Sequence, residues 1–98
     1  MTRLAEAVAC GQVFADFPFH LEWRDVRQHM GRLPGVKMLQ MSTDDEPYMI
    51  FTYRDHYFCI REQSQRLEFS AERNKGVEHL IAQVEAHFTA LLAPDLVE

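Results

Sequence analysis

Three residue types that together can do nucleophilic chemistry fall within five positions of the segment FTYRDHYFCI: Asp55, His56 and Cys59. A thiol becomes a nucleophile when an imidazole takes its proton, and a carboxylate can orient that imidazole. The pair must lie within hydrogen-bond reach. If the segment is a strand, successive side chains alternate between faces. His56 and Cys59, an odd number of residues apart, then project to opposite sides, and only a bulge between them would rescue the dyad. The alternation therefore predicts no catalytic residue here, with Cys59 packing as a small hydrophobe opposite Ile50.

The histidines give no metal signature. His20, His29, His56, His79 and His87 contain neither H-x-x-x-H nor H-E-x-x-H spacing, and His79 and His87 stand two turns apart on one helix. A site assembled between elements, for instance from His20 and His56, is the remaining option. The four glycines are dispersed, without G-x-G-x-x-G or a P-loop. No metal and no cofactor is expected.

Charge narrows the partners. The 98 residues carry a formal net charge of −5, divided unevenly. Up to Thr43 five Lys/Arg face four Asp/Glu, and from Asp44 onward five face eleven. That acidity argues against a nucleic-acid partner. Arg24, Arg27, Arg32 and Lys37 lie close together, as a solvated helix flank or a small anionic site. Two cysteines, Cys10 and Cys59, do not make a disulfide framework. With neither a secretory segment nor an apolar run near the roughly 18 residues of a membrane helix, the expectation is a cytoplasmic protein without a membrane partner.

The elements that would position these groups follow from periodicity. Leu4, Val8 and Ala15 have helical spacing over about 2–15, although Gly11 and Val13 weaken it. Trp23, Val26 and Met30 form a stripe over about 20–30 that Gly31 and Pro34-Gly35 stop. Strands are expected at about 36–42, 47–54, 56–63 and 66–71. A two-residue turn at Arg54-Asp55 sets Phe51 opposite Phe58 and Met49 opposite Ile60. A second at Ser64-Gln65 sets Ile60 opposite Phe69 and Phe58 opposite Ala71. Both turns place the same residues on one apolar face, which supports the register because a one-residue slip inverts every side chain. The first hairpin leaves two registers. A five-residue loop, preferred here, puts Leu39 and Met41 on the core face; a four-residue loop puts Val36 and Met38 there. The last helix, about 75–92, carries Val77, Leu80, Ile81, Val84, Phe88, Leu91 and Leu92 in a stripe about 120° wide, with Asn74 as a candidate N-cap and Pro94 as its stop.

The predicted fold class is α+β: a two-layer sandwich of a three- to four-stranded antiparallel sheet with two N-terminal helices and a C-terminal helix, all in one domain over residues 1–98. In topology the helix–strands–helix order resembles the double-stranded RNA-binding domain. The stretch AERNKGVEHL, however, interleaves acids where such domains carry a basic run. In topology and acidity the chain is also similar to small acidic secretion chaperones, without a shared motif, so no family and no site residue follows from either likeness.

What remains is the second sheet face. Tyr48, Ile50, Thr52, Tyr57 and Cys59 make a semi-apolar patch on a side that water-facing sheets usually keep polar. Either the N-terminal segment covers it, through Leu4, Val8, Phe14 and Phe17, or a second copy or another partner does. The functional expectation is a non-catalytic protein- or ligand-interaction module that pairs with itself or with another protein. Its rival is an enzyme or small-molecule binder with a pocket between the N-terminal helices and the sheet, lined by His20, Trp23, Tyr53 and His56, with Arg24 or Arg27 for an anion.

Overall fold

A computed structural model describes residues 11–73 and 76–94. The chain is α+β, with five antiparallel strands and two helices. The strands are β1 (Gln12–Pro18), β2 (Val36–Ser42), β3 (Tyr48–Tyr53), β4 (His56–Gln63) and β5 (Arg66–Ala71); the helices are α1 (Trp23–Met30) and α2 (Glu78–Leu92). The sheet order is β1-β5-β4-β3-β2, a meander with β1 added beside β5.

The expected helix at 2–15 is corrected where it is described: residues 12–18 form a strand, and residues 2–10 lie outside the described residues. Val13, Phe14 and Phe17 suit a pleated surface, and β5 has an open edge to pair. Pro18, which cannot donate to a ladder, is tolerated because β1 is an edge strand. The sheet accordingly has five strands rather than three or four. The helix expected at 20–30 is confined to Trp23–Met30, where Asp25 accepts the Glu22 N–H at 3.1 Å. Gly31 stays right-handed there, and the chain turns through Gly35, whose φ is 94°. The last helix begins at Glu78, not at 75, because Gly76 has φ 86° and cannot continue a right-handed helix. Asn74, the candidate cap, lies outside the described residues.

The central registers are those that alternation requires. Tyr53 pairs with His56, Phe51 with Phe58 and Met49 with Ile60; Phe58 pairs with Ala71 and Ile60 with Phe69. In the first hairpin both alternatives occur in turn. Val36 and Met38 pair with Tyr53 and Phe51, the register shifts between Met38 and Gln40, and Met41 pairs with Met49. The bulge brings Val36, Met38 and Met41 to the core and leaves Leu39 39% exposed, so the placement of Leu39 in the core is corrected. One extra residue lets β2 change phase and keep its apolar side chains on one face.

Both tight turns adopt the left-handed backbone that two-residue hairpins favour, with φ 51° and 69° at Arg54 and Asp55 and 54° and 62° at Ser64 and Gln65. No glycine relieves them. Replacing Arg54-Asp55 by Asn-Gly is therefore expected to raise stability by about 1 kcal/mol, seen as a rise in Tm of roughly 4–8 °C, whereas Pro-Pro at the same place would prevent the hairpin. An unchanged Tm would mean that the turn is not strained.

The core lies between the helices and the inner face of the sheet. Val26 and Met30 of α1 and Leu80, Val84 and Phe88 of α2 pack with Phe51, Phe58, Ile60, Leu67 and Phe69. The Phe51 and Phe58 rings stack at 5.4 Å. Phe14 and Phe17, expected as part of a cover for the outer face, instead join the core: Phe14 lies 6.0 Å from Phe58 and Phe17 5.6 Å from Phe69.

Candidate functional site

The continuous β3–β4 register places His56 and Cys59 on opposite faces of the sheet. The His56 imidazole lies 3.6 Å from the Glu72 carboxylate, while Cys59 is buried with Ile50 on the other side. Burial pushes the Cys59 thiol up to about 11, partly offset by the nearby Arg61, so it is neither placed nor ionised as a nucleophile.

The residues expected to line a pocket are dispersed. Trp23 stacks edge-on against Phe19 and donates its indole N–H to Glu62 at 2.7 Å. Tyr53 donates its hydroxyl to Gln83 on α2. Glu62 and His56 lie six residues apart on β4, which puts the two ends of the supposed pocket about 20 Å from each other. Arg24 pairs with Glu22 at 3.1 Å, and His20 and Arg27 are exposed. Trp23, Tyr53, His56 and Arg24 thus meet polar partners within the chain. Among the described residues no three of His, Cys, Asp and Glu gather as a metal-binding group, and no helix is long and apolar enough to cross a membrane.

The outer sheet face is more informative. Reading across the strands, one row runs Lys37, Thr52, Tyr57, Glu72; the next Gln40, Ile50, Cys59, Ser70, Val13; the third Ser42, Tyr48, Arg61, Glu68, Asp16. Ile50, Cys59 and Ser70 in the centre are buried within the single chain, Tyr48 and Thr52 are half-buried, and Tyr57 is 39% exposed. Arg61 and Glu68 pair at 2.8 Å, and Arg66 donates to Asp16 at the sheet's end. Both edges are blunted: β1 carries a register shift between Val13 and Ala15 and ends in Pro18, and β2 carries the bulge at Leu39. The edges are poor templates for a further strand, which leaves the face.

One constellation was not legible from spacing. His29, near the end of α1, and His87, two thirds of the way along α2, stack with ring centroids 4.0 Å apart. Each Nε2 lies 2.6 Å from the backbone carbonyl of the other. A groove of about 290 Å³ opens beside His29, lined by Leu21, Asp25, Gln28, Arg32 and Leu91. The two histidines are 58 residues apart; the one local hint is that each directly precedes a buried stripe residue, Met30 or Phe88.

No family model, no curated protein and no solved structure matches the chain.

Proposed function

We propose that the chain is a non-catalytic protein-interaction module that acts through the outer surface of its sheet, and that its partner there is a second copy of itself. The observation that carries this reading is the placement of exposed apolar side chains. Of the four large hydrophobics exposed among the described residues, Val13 (57%) and Tyr57 (39%) belong to the outer-face rows and Leu39 (39%) to the β2 bulge at the edge; the fourth, Leu21, precedes α1. Val13 and Leu39 stand on opposite edge strands with Tyr57 between them, so the three span the full sheet, about 19 Å at the usual strand spacing.

Electrostatics favour a copy of the same chain. The molecule is acidic, and two such chains repel in general. On this face, however, both arginines are paired with acids, Arg61 with Glu68 and Arg66 with Asp16. A locally neutral face with apolar points is where an acidic protein meets itself at least cost.

Sedimentation velocity over a wide concentration range tests this. The wild-type chain is expected to shift from monomer to dimer, and Tyr57→Asp with Val13→Asp to raise the dissociation constant at least about tenfold, with an unchanged circular dichroism spectrum. A chain that stays monomeric at several hundred micromolar, or a folded double variant that dimerises as well as wild type, excludes this face as the dimer contact.

A further inference from the structure

We propose that the stacked His29–His87 pair is a proton-operated latch that holds α1 on α2 near neutral pH and releases it in mild acid. In the neutral state each ring carries its proton on Nε2 and donates it to the other residue's carbonyl, so both hydrogen bonds form at once and neither donor is left unpaired. A first added proton sits on one Nδ1 and breaks neither bond. A second proton places two imidazolium rings face to face with centroids 4.0 Å apart, at a half-buried site where water screens them incompletely. Repulsion between the two charged rings is therefore what opposes the contact.

The surroundings do not cancel this repulsion. From α1 and its exit the charged neighbours are Asp25 and the Arg32 guanidinium, both lining the groove beside His29. The Asp25 carboxylate accepts the Glu22 N–H. From α2 the titratable group facing His29 is His87, while Glu85 and His79 are exposed elsewhere on that helix. On β1, the strand packed on α2, the register puts Asp16 on the outer face of the sheet, away from the helices. Burial first, then His87 and Arg32, holds the His29 imidazole below its ordinary range, against the opposing pull of the His87 carbonyl. The sign follows: with the folded affinity for protons depressed, the contact is at full strength above the ordinary histidine range near 6.5 and is lost as pH falls below it.

Release has a local consequence. α1 is eight residues long, too short to persist without tertiary contact. Its separation from α2 would uncover Val26 and Met30, now 0% and 4% exposed, without disturbing the sheet.

Amide exchange, corrected for the intrinsic pH effect, tests the latch between pH 7.5 and 5.0. Protection of the α1 amides is expected to fall at least about fivefold, the factor two unit charges at 4 Å are worth even at the dielectric of bulk water, while the amides of β3, β4 and β5 keep theirs. The single tryptophan, Trp23, opens α1 and should shift its emission to the red over the same range. His29→Phe keeps a ring in the stack without the charge and should remove the pH dependence; His29→Gln, which keeps an N–H donor, serves if the first variant does not fold. Unchanged α1 protection in wild type, an equal loss across the sheet, or a folded neutral variant with the full pH dependence would overturn the proposal.

Discussion

Phe88→Ala is expected to lower the free energy of unfolding by about 3–5 kcal/mol, the range for emptying a buried aromatic site. Phe88 is fully buried on α2. Its ring stands 4.9 Å from Phe69 and 6.4 Å from Phe51, so it reaches two sheet strands at once. It also meets both histidines edge-on, at 5.6 Å from His29 and 5.4 Å from His87. No side chain near it can fill the space, because Phe51, Phe58 and Phe69 are already held by cross-strand pairing and by each other. A chain of this size has roughly 5–15 kcal/mol of stability in total, so the loss is a large share of it. Urea denaturation monitored by far-ultraviolet circular dichroism measures it. Phe88→Leu, which keeps most of the volume, should cost clearly less. A loss below 1 kcal/mol for Phe88→Ala would mean that α2 does not close this core.

Alkylation of Cys59 by iodoacetamide at pH 8 is expected to be slower by at least about a hundredfold in the folded chain than in urea. Only the thiolate reacts. The shift of the thiol from 9.0 to about 11 reduces the ionised fraction at that pH by about a hundredfold, and with 2% exposure the sulfur is also shielded from the reagent. Peptide mass spectrometry distinguishes the Cys59 adduct from that of Cys10. The same shift has a consequence for stability. A folded thiol that holds its proton to a higher pH contributes stability that is fully present below about 9 and is lost as pH rises through about 11. Alkylation of Cys59 in the native chain at the unfolded rate would show that the centre of the outer face opens readily.

How much of this could be read from residue order differs from element to element. In β3, β4 and β5 the apolar side chains alternate, and two tight turns bring the three strands together in sequence. Each pairing is therefore local, and one choice of face satisfies Phe51, Phe58, Ile60 and Phe69 at once. The stripes of α1 and α2 were legible for the same reason, since Val26 and Met30, and Leu80, Val84 and Phe88, recur at the helical period within one segment. At β2 the pattern admitted two registers and gave the wrong one for Leu39 the edge, because Val36, Met38, Leu39 and Met41 are all apolar. The bulge that uses both registers costs little along the chain and is selected by what β3 presents opposite.

β1 and the histidine pair belong to another class. The segment Gln12–Pro18 has weak helical spacing and fair strand propensity, and it becomes a strand because β5, some 50 residues later, leaves a row of backbone groups to be paired. His29 and His87 look unrelated at a separation of 58 residues, and they meet only because both helices lie on the same face of the sheet. In β3, β4, β5 and the two helices, alternation and period decided which side chains face inward, and with that they separated His56 from Cys59, whereas Leu39, Phe14 and Phe17 were placed by packing. Which inward faces meet was left to tertiary packing, because contact between distant segments depends on the closed sheet and carries no local signature along the chain.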